Sequence, residues 1–207
     1  MKTTVYKKMI SQILPNLQEG DSLAWRGSSI LAKIIRWADN NSYYNHVDGI
    51  VYKDPSLRYW RVIRSWNGGV EDISLYQALE SYDKEGNDVC IIRPSCKTEQ
   101  IKKRISWLKE KVGNNKGYDH KLLLLHLLWL KGNKFLSKFG LSLSEVFLYK
   151  FDNKNKYVCS ELYQWSCVEV GLEEFKKDKL MTPQNAVDVT KINGKTLCDT
   201  RFKLRKI

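Results

Sequence analysis

No run of apolar residues in this chain reaches the roughly 18–20 that a membrane-spanning helix requires. The longest, Leu122 to Leu130, carries His126 in its middle. The opening stretch, MKTTVYKKMISQILPNLQEGD, lacks the unbroken apolar segment and small-residue cleavage site of a signal peptide. A soluble protein, cytoplasmic as synthesised, is therefore expected. A target outside the cell would then be reached by virion association, release by lysis or a non-classical route. The cysteines (Cys90, Cys96, Cys159, Cys167 and Cys198) are few and odd in number, with no CxxC or Cys/His metal spacing. They imply no disulfide framework and no cysteine-based metal site, so five free thiols in a reducing compartment are expected.

Acidic residues are in the minority, 23 against 35 basic ones, for a net charge of +12. Such a surface attracts anionic lipid headgroups, anionic cell-wall polymers or nucleic acid. Lysines outnumber arginines 26 to 9. Bidentate reading of phosphates and bases favours arginine, so nucleic acid is the less favoured partner. The pattern specifies no oligomeric state.

At 207 residues the chain fits one domain against a prior of roughly 150 residues per domain. Residues 1–207 read as that single domain, with a lead-in helix over 1–19 and a leucine-rich helical insert at about 120–148. Ser22–Arg26 reads as a strand. A helix opens after Gly27-Ser28-Ser29, capped by Ser28 or Ser29, with Ile30, Leu31, Ile34, Ile35 and Ala38 on one face. Residues 46–52 and 59–66 form a hairpin across Lys53-Asp54-Pro55, and Val89–Arg93 is a further strand. Residues 99–112 are helical and bury Ile101, Ile105, Leu108 and Val112 before Gly113 ends them. The stretch from Cys159 to Val170 is a helix with Leu162, Trp165, Cys167 and Val170 inward. A turn at Thr182-Pro183 leads to a final β-like run. Strands and helices do not alternate regularly, which selects α+β, a small antiparallel sheet packed against helices.

Among the histidines, His46 begins an apolar strand after a polar loop, where a side chain is both held and accessible. His120 and His126 lie in the leucine-rich segment and read as packed or surface residues. Cys159 opens a helix, where the dipole and unpaired N–H groups stabilise a thiolate. The other four cysteines read as small core hydrophobes. Asp21 reads as a turn former, and Asp119 as the cap of the leucine-rich helix. Glu161 suits the start of the Cys159 helix but opposes a thiolate if it faces the sulfur.

Several of these residues carry a resemblance. Gly20-Asp21-Ser22-Leu23-Ala24-Trp25-Arg26-Gly27 resembles the GDxLxxRG opening of circularly permuted NlpC/P60 papain-like hydrolases. These include YiiX/YebB-like bacterial proteins and relatives of lecithin:retinol acyltransferase. An amphipathic helix, a Ser/Tyr-rich loop and a strand beginning with His follow in family order as ILAKIIRWADNNSYYNHVDGIVY. Gly117-Tyr118-Asp119 is similar to the family's G-x-x-Y-D element, Tyr157-Val158-Cys159-Ser160-Glu161-Leu162 to its YCSEL motif, and Thr182-Pro183-Gln184 to its closing S/T-P element. The resemblance implies a permuted papain-like fold, a nucleophile Cys159 and a base His46, the permutation placing His before Cys. It also implies a third polar residue that orients the imidazole. Counting back from Leu75 past Val70 and Gly68 assigns that place to Ser65, with Arg64 as the neighbour that must not point inward. The long stretch between Asp119 and Val158 departs from the family and is read as core helix, with an apolar lid or interfacial helix as the alternative. The implied activity is cysteine-dependent hydrolysis or acyl transfer at an amide or ester, on cell-wall peptide or lipid, without a cofactor. The rival from another class is a catalytically inert structural, nucleic-acid-binding or particle-binding protein that keeps the fold.

Overall fold

Alternating side chains along Ser22–Arg26 (β1) are buried on both faces of the strand, which places it between two apolar layers. After it come α1 (Ile30–Ala38), β2 (His46–Val47), β3 (Ile50–Lys53), β4 (Trp60–Trp66), β5 (Gly69–Ser74), α2 (Leu75–Asp83) and β6 (Asp88–Ile92). The remaining helices are α3 (Thr98–Lys111), α4 (His120–Ser137), α5 (Cys159–Val168) and α6 (Pro183–Asn193). This computed structural model describes residues 11, 13–57, 59–83, 88–113, 117–141, 156–175 and 180–193. The class is α+β, with small antiparallel sheets packed against helices.

Two three-stranded antiparallel sheets, ordered β2-β1-β6 and β3-β4-β5, are joined by one bent strand. β2 pairs with β1, and beyond it Asp48 N–H still donates to Leu23 O at 2.9 Å, Val51 N–H to Asp21 O at 2.6 Å. The chain bends at Asp48-Gly49 and enters the second sheet as β3. Gly49 is required there, because a Cβ would lie 2.9 Å from the Ile63 carbonyl oxygen.

Leu23 and Trp25 of β1 join Val51, Val62, Leu79, Val89 and Ile91 in one core. Ala24, on the other face, joins Val47, Cys90, Tyr163 and Cys167 in a second. Helix α5 spans the two sheets, since its Leu162 packs with Ile50, Ile63 and Leu108 in a third cluster. Buried Arg104 of α3 ties these layers by donating to Gly20 O (3.1 Å), Gly49 O (2.9 Å) and Ser166 Oγ (3.2 Å). Asp21 caps the preceding turn by accepting from Gln18 N–H at 2.7 Å, and it also pairs with Arg93 at 2.7 Å. Asp119 caps α4 by accepting from Leu122 N–H at 2.8 Å, as its position before the leucines implies.

Several expectations need correction. The β-like run expected after the turn at Thr182-Pro183 does not begin there: residues 183–193 are helical, and residues 194–207 lie outside the described residues. Thr182 Oγ1 accepts from Asn185 N–H, Pro183 takes the first turn, and Ala186 and Val187 pack into the core beside Tyr163. Tertiary burial there overrides the β-branched composition. Strand β5 and helix α2 were not anticipated. The expected inner face of α1 is also displaced: Ala32, Ile35 and Ala38 are buried, while Ile30, Leu31 and Ile34 are exposed. Of the expected lead-in helix, Leu14–Asn16 is a 3₁₀ turn, and residues 1–10 lie outside the described residues. α4 realises the leucine-rich segment to Ser137, and residues 142–148 lie outside the described residues. Cys90 is disulfide-bonded, whereas Cys96, Cys159 and Cys167 are free thiols, so the expected five free thiols are not what this structure holds. No helix among the described residues is long and apolar enough to cross a membrane.

Candidate active site

The loop before β2 is set by Asn45, whose Oδ1 accepts from Gly27 N–H at 2.6 Å and from Arg36 Nη1 at 3.1 Å. His46 then enters β2 opposite Trp25. Two residues on, Asp48 is fully buried. Its Oδ1 lies 3.1 Å from His46 Nε2, and its Oδ2 accepts from the Trp25 indole N–H at 2.8 Å. A carboxylate anchored by β1 thus holds the imidazole, and Trp66 meets the ring edge-on at 5.1 Å. With Nε2 engaged by Asp48, Nδ1 is the ring nitrogen left for a second partner.

That partner is Cys159, the first residue of α5, buried and hydrogen-bonded to His46. Its sulfur also receives the Val47 backbone N–H and, at 3.6 Å, the Tyr118 hydroxyl. The same Tyr118 oxygen accepts from the Cys159 N–H at 3.5 Å. Burial would lower the His46 pKa, but the negative charge of the Cys159 sulfur and the hydrogen bonds to Asp48 and Cys159 outweigh it and push it up to about 9. Burial would raise the Cys159 thiol, but the His46 charge and the hydrogen bonds from His46, Val47 and Tyr118 bring it below its ordinary value. Both shifts favour a thiolate–imidazolium pair. Glu161, the residue that could have opposed it, directs Oε2 to the Val158 N–H at 3.2 Å.

The structure therefore brings His46 and Cys159 together across 113 residues of chain. Ser65 is placed differently. Its hydroxyl donates to the Tyr157 carbonyl at 2.5 Å, so it anchors the segment leading into Cys159 and does not bond the imidazole. Arg64 pairs with Glu71 at 2.6 Å and donates to Ser81 at 3.1 Å. Asp48 occupies the orienting place that had been assigned to Ser65. Its signal was present in HVDG, because residues two apart along an extended chain share a face. Tyr118 was noted only as part of a motif, and nothing local to it announces contact with a sulfur 41 positions away.

Two clefts meet at this pair, both lined by Ile35, Asn45 and Tyr118. One runs between α1 and α4 to Cys159, with Leu123, Leu127 and Leu130 on its wall. Two buried polar atoms of its lining residues, Asp39 Oδ2 and His126 Nε2, have no hydrogen-bond partner among the described residues. Burial lowers the His126 pKa to about 4, so its imidazole is neutral at pH 7. The other cleft exposes the His46 side, beside Trp66 and Asn67. Among the described residues no group of three or more His, Cys, Asp or Glu side chains is placed to hold a metal ion.

No protein-family model and no curated protein matches this sequence. Among solved structures, the chain is similar to the crystal structure of metalloprotein yiiX from Escherichia coli O157:H7, DUF1105. The TM-score is 0.46 at 18% identity, over 83% of this chain and 92% of that one.

Proposed function

We propose that this protein is a cysteine-dependent hydrolase or acyltransferase of the permuted NlpC/P60 papain-like type, acting at an amide or ester carbonyl. The observation that carries the reading is the Cys159–His46–Asp48 arrangement, with its thiolate favoured at the head of α5 where two clefts meet. The Cys159 thiolate attacks the carbonyl carbon, forming a C–S bond while the carbonyl electron pair moves to oxygen. The Tyr118 hydroxyl and the N-terminal N–H groups of α5 stand beside the sulfur as donors for that oxyanion. Collapse breaks the bond to the leaving amine or alcohol, which takes the His46 proton, leaving a thioester. Water, or an acceptor nucleophile, then gives its proton to His46 and attacks the thioester, restoring the thiolate. Asp48 fixes the ring and stabilises the imidazolium without itself taking a proton. These steps call for no cofactor.

The substrate class is an anionic cell-wall peptide or a lipid, in keeping with the net charge of +12. Intact-mass measurement after incubation with peptidoglycan fragments, phospholipids and an activated ester tests the reading. Expected is an acyl adduct on wild type that is absent from Cys159→Ala. An adduct equally present on Cys159→Ala, or a Cys159 that alkylates only above the ordinary thiol range, would sink it. Nucleic-acid affinity that collapses with salt, beside an inert Cys159, would favour the binding protein instead.

A further inference from the structure

The largest exposed apolar side chains of the described residues gather on two adjoining helices. On α1, Ile30 is 78% exposed and Trp37 59%, with Leu31 and Ile34 beside them. On α4 and the turn after it, Leu128 and Phe135 are each 61% exposed and Phe139 67%. Positions 30, 34 and 37 share one side of α1, and positions 124, 128 and 135 share one side of α4. The helices pack together through Ile35, Ala38 and Leu127. At their junction Lys131 Nζ lies 4.2 Å from the centroid of the Trp37 ring, which places the two exposed sides next to each other.

The charge of this face has one sign. α1 contributes Lys33, residues 120–141 contain Lys121, Lys131, Lys134 and Lys138, and neither stretch contains Asp or Glu, while the Arg36 guanidinium is engaged by the Gly27 carbonyl and Asn45. Core packing does not explain apolar residues left in water, and a solvated helix face would intersperse both signs of charge. We propose that the α1–α4 face docks on the surface of an anionic lipid bilayer, with Ile34, Trp37, Leu128 and Phe135 entering the headgroup boundary and the lysines pairing with lipid phosphates. The same two helices wall the cleft that ends at Cys159. Docking therefore sets that cleft beside lipid, and, resting on the function proposed above, makes an ester or amide of a membrane lipid the substrate.

The test is co-sedimentation with vesicles of phosphatidylcholine alone and of phosphatidylcholine with about one-third phosphatidylglycerol, at low and high salt. Wild type and Cys159→Ala should both bind the anionic vesicles, with affinity at least tenfold above the neutral ones and falling as salt rises. Trp37→Glu combined with Leu128→Glu should lose that binding at least tenfold while melting as wild type does and keeping its Cys159 alkylation rate. Absence of wild-type binding to anionic vesicles, or binding that the double substitution leaves intact, would overturn the proposal. So would a wild-type dimer in sedimentation velocity that the double substitution turns into a monomer, which would assign the face to a second copy of the chain. Failure of docking with Cys159 still acylated would leave the proposed chemistry standing. Docking with no acylation would separate the two the other way.

Discussion

Burial opposes the charge on both a Cys159 thiolate and a His46 imidazolium, and each charge persists because the other stands against it. Iodoacetamide should therefore alkylate Cys159 with a reactivity profile displaced to lower pH than that of a free thiol, which gains reactivity through about 8.5. The folded His46 pKa, about 9, lies above its ordinary 6.5. Its contribution to stability is thus complete below pH 6.5 and lost as pH rises through 9. In Cys159→Ser the sulfur charge is gone, so the His46 titration followed by NMR should move downward. Asp48 and Ser65 predict opposite responses. Asp48→Asn should reduce acyl transfer by roughly 10²-fold or more with the fold retained, because the imidazolium loses its counter-charge. Ser65→Ala should cost about 1 kcal/mol of stability, the value of a hydrogen bond to a buried carbonyl, and leave the pH profile in place. A Ser65→Ala variant with a shifted His46 titration would return the orienting role to the serine.

Among the elements, α5 and β2 are positioned by the bend at Gly49 and by the guanidinium of Arg104 rather than by any contact between Cys159 and its chain neighbours. Arg104 supplies donors to two backbone carbonyls that α3 alone could not satisfy. Arg104→Met fills most of the volume but withdraws those donors, and should lower the unfolding free energy by about 2 kcal/mol in urea titration. An unchanged midpoint would mean that relief of the buried charge offsets the lost hydrogen bonds. The hairpin of β3 and β4 and the helices α3 and α5 were legible because each has a strong local period and a stop signal. α6 was not, because its β-branched residues argue for a strand and only Tyr163 and the core around it argue for a helix.

At the scale of the whole molecule, the free-thiol count follows from the bridge at Cys90. The denatured, unreduced protein should show fewer than five free thiols, rising to five after reduction. Loss of a bridge typically costs about 2–4 kcal/mol, so reduction should also lower the melting temperature. A count of five before reduction would remove the bridge. The charge of +12 has a structural counterpart as well, since Lys131 of α4 lies over the exposed Trp37 ring of α1.

The amino-acid sequence determined those features that a few consecutive residues settle by themselves. Cys159 heads a helix because an apolar-periodic segment begins there, and His46 heads a strand because alternation begins there. Asp119 caps α4 for a similar local reason. What the tertiary structure decided are the relations across the chain. Ser65 meets Tyr157 rather than His46, because β4 delivers its hydroxyl to the segment entering α5. Tyr118 reaches the sulfur, and the apolar residues of α1 divide between core and solvent according to where α4 lies. Periodicity states that a helix has an apolar side, but only the packed neighbours decide which of those residues leave water.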